Sequence, residues 1–560
     1  MPAEPSSRPL TTAEAAAVTL LAPCVALVLA AYLLDLVGFA FRPAPMLALA
    51  VLATAAIGTL TWRGATHAGE ELALWLVTTV CLFVWLLWLA APDFLPLSTG
   101  PDLTHHLLLI RHIETSWRLV HDPSLERFMG EMAQYTPGSH LLAALAGAWS
   151  GTDGLRALHG LQAWMVALKT GFLLLIAFRL LPPRAPRVLA MLGPVLLFGA
   201  PRYFLGGLTE YGFLAQVVAE SFAVAMWWAI VVWAVEPSRL PLLVFGAAGG
   251  AAFLTWPVYV GPPALAAFVV IALRTNEPIV HRVRAVVTAF VPIGVISLIY
   301  LIGRLGWLQM AGTGGAAPWP TVAAYGVPLV ALAVAGVALS VVRQRGRACG
   351  LFLFAVLAQA SAFHVLATRA GAAQPYMALK MGYLILWPMA ACSVLAVGEG
   401  WAWLARFAPT LATGTRGRVV ASVLMLVTLA LVARPLAARP TLLHPLPPAV
   451  SLPVYEAGRW ARAHVPPDCV EYLVGDDETA YWLHLAVLGN PRMSDRTGDN
   501  STYEPVDAVV RWLTPNGLPY AIAELPALPR DVRNELDIVQ QFGEAAVVRR
   551  RGASTCEPAR

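Results

Sequence analysis

The sequence predicts a polytopic α-helical membrane protein with a small α/β domain at its C-terminus. Three observations support this prediction. Hydrophobic residues make up 58% of the 560 residues, charged residues make up only 13%, and long apolar runs recur along residues 1–433. An average soluble domain contains roughly 25% charged residues, so these charges are too few to cover a soluble protein of this length. The same figures exclude intrinsic disorder and a nucleic-acid binder with a dense basic face.

Thirteen segments have the length and apolarity of helices that cross the hydrocarbon layer. Several contain Gly or Pro, which membrane helices tolerate better than soluble helices do. The two segments around Trp256-Pro257 alternatively form one broken helix, which would leave twelve spans. The predicted spans are residues 15–41, 45–62, 72–91, 154–179, 188–206, 212–235, 241–257, 258–273, 285–302, 322–342, 349–367, 377–397 and 419–433.

The placement of arginines in the loops predicts the orientation of these spans. If the N-terminus is cytoplasmic, the loops on its side contain fourteen arginines, and the longer loops on the other side contain seven. Positive residues accumulate in cytoplasmic loops. We therefore expect a multi-pass protein with a cytoplasmic N-terminus, in which the loop 92–136 and everything after Arg434 lie outside the cytoplasm.

The last 110 residues or so differ in kind from the spans, because their apolar runs shorten to strand length and their charge density rises. We predict strands at 469–474, 520–524 and 545–549 and a helix at 478–488, hence an extracytoplasmic α/β domain over 454–560. The Pro-rich segment 434–453 indicates a stiff linker. Cys469 and Cys556 form a disulfide candidate in an oxidising compartment, and two free cysteines are the alternative.

The outer loop 92–136 contains the most promising polar residues for chemistry. Long loops in compact proteins are more often functional than decorative. Apolar residues at helical spacing over 103–119 predict a helix along the membrane surface, with Asp102 near its start and His105 and His106 on the same face. An acidic residue there has a simpler explanation as a helix cap. The same face is an alternative site for a divalent cation, since carboxylate and imidazole are suitable ligands.

Asp102 after a membrane span, the helix-spaced His and Arg residues that follow, and the motif Tyr135-x-Pro137-Gly138-x-His140 together resemble the GT-C superfamily of membrane glycosyltransferases. The enzymes that the sequence resembles include those that use dolichyl-phosphate-mannose and those that are arabinosyltransferase-like. The resemblance implies a GT-C-like membrane domain over 1–433. It implies a bacterial inner (plasma) membrane enzyme that uses a polyprenyl-phosphate sugar as its donor substrate. The implied reaction is inverting transfer of a hexosyl or pentosyl group to an envelope glycan, lipid or protein.

The resemblance also implies roles for individual residues. Asp102 would be the general base for the acceptor hydroxyl, and Lys380 the cation that holds the leaving lipid phosphate. Arg369 and Arg202 could share that phosphate, because a guanidinium forms paired hydrogen bonds with it. A lysine that reaches toward the membrane surface is the alternative explanation for Lys380. The further residues expected to contact substrate are His105, His106, Tyr135, His140, Glu210 and Tyr376.

Other ionisable residues within the spans have structural interpretations. Lys169 lies near the middle of a span, and a cation there needs a partner, for which Glu220 is the obvious choice. Asp35 is the alternative catalytic carboxylate if Asp102 has no such role. Two other functions remain open, a transporter or flippase of lipid-linked substrates and a non-catalytic GT-C-like partner subunit. We find no matching halves of the kind that transporters usually contain.

Overall fold

The computed structural model describes residues 10–97, 101–122, 125, 129–303, 317–412, 414–466, 469–488, 504–514 and 517–553. A helical bundle is followed by a four-stranded sheet with short helices. The bundle helices are α1 (Thr12–Leu36), α2 (Pro43–Trp62), α3 (Gly69–Leu89), α4 (Pro101–Ser116), α5 (Gly138–Ser150), α6 (Gly154–Leu180), α7 (Leu192–Leu197), α8 (Leu214–Val235), α9 (Arg239–Phe253), α10 (Gly261–Ala272), α11 (Ile279–Gly303), α12 (Val327–Val342), α13 (Arg347–Arg369), α14 (Tyr376–Phe407) and α15 (Gly414–Ala437).

Every predicted span contains a helix. In the described ranges, nine helices are long and apolar enough to cross a membrane, and four shorter apolar helices occupy the remaining predicted spans. The polypeptide leaves helical geometry at Leu254 and forms a 3₁₀ turn at Pro257–Tyr259, so α9 and α10 are separate helices. Proline explains the break, because its ring and its missing N–H interrupt a helix. The predicted class, a polytopic helical protein with a small C-terminal α/β domain, is confirmed.

Three helices form the centre of the bundle. The most apolar windows of α6, α8 and α14 are 89%, 94% and 83% buried, whereas those of α2 and α15 are 17% and 11% buried. The central helices contain Lys169 and Glu220, the two ionisable residues that were predicted to pair with each other. The peripheral helices expose Val and Leu, as expected where lipid replaces protein.

The end of the bundle at which α1 begins is held by ion pairs, and we call it the N-terminal end. Glu14, in the first turn of α1, accepts two hydrogen bonds from Arg179 at the end of α6, at 2.8 and 2.6 Å. Glu71 of α3 pairs with Arg187 at 3.1 Å. The opposite end, which we call the site end, carries α4, the first turns of α14 and the C-terminal domain.

The C-terminal domain has helices α16 (Leu452–His464), α17 (Asp477–Trp482), α18 (Pro505–Leu513) and α19 (Arg530–Asn534) and strands β1 (Val470–Leu473), β2 (Tyr520–Glu524), β3 (Leu536–Phe542) and β4 (Ala545–Arg550). The sheet order is β1-β2-β4-β3, with β1 parallel to β2 and the other pairs antiparallel. Three of these strands match predicted ones. The fourth, β3, is largely exposed and lacks the apolar alternation from which a strand is recognised.

The segment predicted as a stiff linker lies against the bundle. The helix α15 continues to Ala437, a 3₁₀ turn follows at Pro440–Leu443, and α16 begins at Leu452. The Leu446 N–H donates to the carbonyl of Leu89 at 2.7 Å, and the Ala449 N–H donates to the carbonyl of Pro96 at 2.8 Å. These bonds attach the approach to the C-terminal domain to the end of α3.

Candidate functional site

The helix α4 carries the predicted base and lies where the outer loop was expected to form a helix. It begins at Pro101, two residues earlier than predicted, and Asp102 lies in its first turn. The side chain of Asp102 lies outside the described residues, so its catalytic role stays a prediction. Leu103, Leu107 and Ile110 are buried, and α4 packs against α5 and the C-terminal domain rather than only along a membrane surface.

His106, Tyr135 and His140, three predicted substrate residues, lie together beside α4. The Nδ1 atom of His106 is 2.9 Å from Nε2 of His140, which identifies one hydrogen bond between the rings. The Tyr135 ring meets both imidazoles edge-on, with centroid distances of 5.1 and 5.7 Å. We call these three residues the histidine cluster.

Burial and the neighbouring His106 lower the pKa of His140 well below its usual value, and hydrogen bonds to backbone carbonyls offset this only in part. His140 is therefore neutral at physiological pH. In such a pair one ring nitrogen donates and the other accepts. His140 therefore supplies no positive charge for a phosphate.

Lys380 lies in the second turn of α14 and is buried, with 5% of its surface exposed. Its ammonium lies over the Phe213 ring, 2.9 Å from the centroid, and 4.8 and 5.7 Å from the ring centroids of Tyr376 and Trp256. The hydroxyl of Tyr259 donates to the Lys380 carbonyl at 2.8 Å. Ring faces attract cations, so these contacts position the ammonium. We call Lys380 and the three rings the lysine cage.

The break between α9 and α10 connects the histidine cluster to the lysine cage. The Gly138 N–H donates to the carbonyl of Leu254 at 2.7 Å, and the Thr136 hydroxyl donates to the carbonyl of Thr255 at 2.8 Å. The next residue, Trp256, belongs to the lysine cage. Any Cβ at Gly138 would collide with Thr255, which explains the glycine in the motif. One irregular segment therefore contacts the motif of the outer loop on one side and Lys380 on the other.

Of the two arginines predicted to share the phosphate, Arg202 lies beside a carboxylate and Arg369 lies at the exposed end of α13. The Arg202 guanidinium faces Glu210 at 3.7 Å, and Glu210 also pairs with Arg439 near the end of α15. Arg369 is exposed at the last turn of α13, and the described residues give it no ion pair. Their roles toward a phosphate, and that of Glu210 toward substrate, stay predictions.

His105 was expected to share a face with His106, but the two rings have different partners. The Nε2 atom of His105 is 2.9 Å from the hydroxyl of Tyr481 in α17 of the C-terminal domain. Adjacent residues on a helix point about 100° apart, so only one of the two can face the motif. His105 therefore contacts the C-terminal domain, and His106 belongs to the histidine cluster.

Asp35 holds the segment after α4 in place. One carboxylate oxygen accepts from the Leu119 N–H at 2.9 Å, and the other is 2.8 Å from Nε2 of His121. Both oxygens are engaged and the residue is buried. This arrangement accounts for the carboxylate structurally, without a catalytic role.

The ion pair predicted between Lys169 and Glu220 is confirmed. Glu220 also accepts from Gln216 at 3.3 Å, and its carboxylate lies 3.4 Å from the Tyr259 hydroxyl oxygen. The Lys169 ammonium is 5.0 Å from the centroid of the Trp387 ring. The pair joins α6 to α8 in the centre of the bundle.

Asp153 has a structural role that the sequence analysis does not predict. Its carboxylate caps α6 by accepting from the Arg156 N–H at 3.1 Å, and it accepts from the Tyr455 hydroxyl at 2.7 Å and from Arg462 at 3.4 Å. Tyr455 and Arg462 belong to α16, so Asp153 joins the bundle to the C-terminal domain. An Asp just before a helix predicts the cap, but Tyr455 and Arg462 lie some three hundred residues away in the sequence.

The remaining predictions concern metal and disulfide bonding. Among the described residues, no group of three or more His, Cys, Asp or Glu side chains could hold a metal ion. The predicted cation face includes Asp102, so that site stays a prediction. Cys469 is disulfide-bonded, and Cys556, the predicted partner, lies outside the described residues. Asp476 caps α17 by accepting from the Thr479 N–H at 2.7 Å.

No protein-family model and no curated protein sequence matches this chain. Solved structures similar to it include ArnT from Cupriavidus metallidurans bound to undecaprenyl phosphate, at 14% identity and a TM-score of 0.47, over 88% of this chain and 100% of ArnT. The apo state of the same protein is similar at 15% identity and a TM-score of 0.48, over 86% of this chain and 97% of ArnT. The oligosaccharyltransferase of Archaeoglobus fulgidus, solved with Zn and sulfate, is similar at 15% identity and a TM-score of 0.43, over 80% of this chain and 68% of the oligosaccharyltransferase. At these identities and TM-scores, an activity for this chain has to be argued from its own residues.

Proposed function

We propose that this protein is an inverting glycosyltransferase that moves a sugar from a polyprenyl-phosphate donor to an envelope glycan, lipid or protein. The observation that carries the proposal is the lysine cage at the site end of the bundle. The irregular segment between α9 and α10 contacts both this cage and the motif of the histidine cluster. The histidine cluster includes His106 of α4, the helix that carries Asp102. A group that holds a lipid phosphate has to lie near the membrane boundary, as the first turns of α14 do.

In this reaction the acceptor hydroxyl attacks the anomeric carbon of the donor sugar. Its oxygen forms the new glycosidic bond while its proton passes to the Asp102 carboxylate. The bond between the anomeric carbon and the lipid phosphate oxygen breaks, and the phosphate leaves with that electron pair. Lys380 stabilises the charge that develops on the phosphate, which is where a positioned cation has its largest effect. Attack opposite the leaving group inverts the anomeric centre.

The neighbouring residues suit recognition of a sugar. The imidazole of His106, which is oriented by its hydrogen bond with His140, is a group of the kind that binds sugar hydroxyls. Tyr135 adds an aromatic edge beside both rings, and Tyr376 places another ring beside Lys380. We further propose that the site end faces away from the cytoplasm in a bacterial inner membrane. The scheme requires no divalent cation, and it does not depend on which sugar is transferred.

The test is transfer of labelled sugar from a panel of polyprenyl-phosphate hexoses and pentoses, using the full chain in lipid vesicles with an envelope fraction as acceptor. We expect turnover with one donor, and a decrease of about 10²–10⁴-fold in Asp102→Asn, the range for a positioned general base. Asp93→Asn, a carboxylate change in the same loop, is the matched control and should keep full activity.

The other functions give different results in the same assay. Tight donor binding without turnover, with every acceptor fraction, would favour the non-catalytic partner. Movement of intact labelled donor across the vesicle membrane would favour the transporter or flippase. Turnover that Asp102→Asn leaves unchanged would place the base elsewhere and contradict the mechanism given above.

A further inference from the structure

A cleft at the N-terminal end of the bundle lies far from the candidate site and has no role in the proposed reaction. It has a volume of about 530 Å³ and lies between the ends of α8 and α14 and the turn that joins α12 to α13. Its charged lining consists of Arg343, Arg345, Arg406 and Glu399. Three guanidinium groups thus face one carboxylate around a space large enough for a phosphate ester.

The arrangement of these charges leaves binding capacity for an anion. Arg343 contacts one oxygen of Glu399 at 3.0 Å, and Arg345 pairs with the other oxygen. The Nε atom of Arg345 is buried and has no hydrogen-bond partner among the described residues. Arg406 is exposed at the rim, and no ion pair is found for it in the ranges that the structure describes. Guanidinium forks match phosphate oxygens in geometry and remain charged at all physiological pH values.

The turn that presents two of these arginines is fixed by close packing. A Cβ at Gly346 would collide with Leu395 and would approach Ser340 within 3.2 Å, and one at Gly350 would collide with the Ser340 hydroxyl. The turn therefore rests directly on the preceding helix, and Arg343 and Arg345 extend from a rigid backbone. A rigid site requires less ordering when a ligand binds.

The apolar residues next to the cleft place it at the boundary between membrane and water. Trp403 and Phe407, on the same end of α14, are 61% and 70% exposed, and their rings are 4.7 Å apart. Val341 and Val342, just before the arginine turn, are 72% and 70% exposed. Exposed aromatic rings at a helix end mark the headgroup level of a bilayer, where phospholipid phosphates lie. This favours a lipid headgroup over a soluble anion.

We propose that this cleft binds the phosphate of an anionic phospholipid headgroup, with Arg343, Arg345 and Arg406 as its ligands and the exposed end of α14 against the acyl chains. Basic pockets between membrane helices are known to hold such headgroups. The assignment does not depend on the proposed glycosyltransferase activity, because no residue of the lysine cage or histidine cluster takes part.

The experiment measures lipid retained by the purified full chain, by native mass spectrometry, after equilibration with mixed micelles of phosphatidylglycerol and phosphatidylcholine. Wild type should retain phosphatidylglycerol preferentially. Arg406→Gln, which disturbs no observed ion pair, should lower this preference about fivefold, the effect of one arginine near an anionic surface. Arg343→Gln/Arg406→Gln should lower it further. The matched control, Arg416→Gln/Arg418→Gln, removes two exposed arginines at the start of α15 and should retain wild-type preference.

Three results would overturn the proposal. Equal retention of both lipids by wild type would remove the evidence for a headgroup site. An equal loss of preference in the control variant would assign the effect to the general positive charge of this face. Displacement of phosphatidylglycerol by millimolar glycerol 3-phosphate would show that the cleft binds soluble phosphate esters rather than lipid.

Discussion

The two lysines of this chain are both buried, and the contacts described around their ammonium groups differ. In the middle of the bundle, Lys169 pairs with Glu220, which Gln216 and Tyr259 also contact. At the site end, Lys380 lies among the ring faces of Phe213, Tyr376 and Trp256. A carboxylate attracts an ammonium as a full opposite charge, whereas a ring face attracts it more weakly through its quadrupole. The comparison supports a structural role for Lys169, and the ligand-binding role of Lys380 stays a prediction.

The largest effect on stability is expected in the middle of the bundle. Lys169→Met leaves the Glu220 carboxylate buried without its cation, and breaking a buried pair in this way costs about 3–5 kcal/mol. Thermal unfolding of the purified protein measures the loss. Lys169→Met/Glu220→Gln removes both charges and should recover most of the stability. A double variant as unstable as the single one would contradict the structural interpretation of Lys169.

The largest effect on activity without loss of stability is expected in the lysine cage. Lys380→Gln removes the charge that stabilises the leaving phosphate, and loss of one such group costs about 10²–10³-fold in turnover. Lys380→Arg should recover part of that loss, and Arg42→Gln, which removes an exposed cation just before α2, is the control. Rates are compared in the sugar-transfer assay, with unfolding temperatures measured in parallel. The comparison between the two lysines fails if Lys380→Gln unfolds the protein and Lys169→Gln does not.

A smaller effect should separate the aromatic contacts of the two lysines. Phe213→Leu removes the ring nearest the Lys380 ammonium, and a desolvated cation–π contact is worth about 2 kcal/mol, so donor affinity should fall roughly tenfold or more. Trp387→Leu removes the ring beside Lys169, where Glu220 still holds the ammonium. We expect this second variant to change stability but not donor affinity. Equal effects on affinity would show that the two rings act alike.

The smallest effect concerns the pH dependence of the site end. Because burial and His106 lower the pKa of His140 well below 6.5, the unfolded chain binds a proton more readily than the folded one below that pH. Stability should therefore decrease as the pH falls below about 6.5, with a slope of up to about 1.4 kcal/mol per pH unit for this group. Unfolding temperatures of wild type and His140→Asn across pH 5–8 measure the slope. His464→Asn, an exposed histidine, should leave the slope unchanged.

Much of the membrane architecture could be predicted because it depends on local composition. Every predicted span contains a helix, and the Trp256-Pro257 break was recognisable from the proline itself. The small discrepancies have physical causes. The four shorter helices include Pro or Gly at or near their ends, and α16 begins at Leu452, just before a proline that can occupy the first turn of a helix. The exposed strand β3 had no apolar pattern to reveal it.

The candidate site was predicted only in part. His106, Tyr135 and His140 were grouped because they stand in one loop and one motif, and the structure brings them together. Lys380 was chosen as a rare lysine near a membrane boundary. The sequence did not reveal that Arg202 pairs with Glu210, that His105 contacts Tyr481, or that Asp153 joins α16 to the bundle. Each of these contacts joins elements that are packed by the fold, and none has a local sequence signal.

The sequence alone determined which segments are apolar enough to form membrane helices, where prolines interrupt them, and that a separate α/β domain follows. These properties depend on residues within a few turns of each other. Only the tertiary structure decided which cation pairs with a carboxylate and which lies among aromatic rings, and which arginines share a cleft. Such contacts depend on helix packing, in which residues tens or hundreds of positions apart become neighbours.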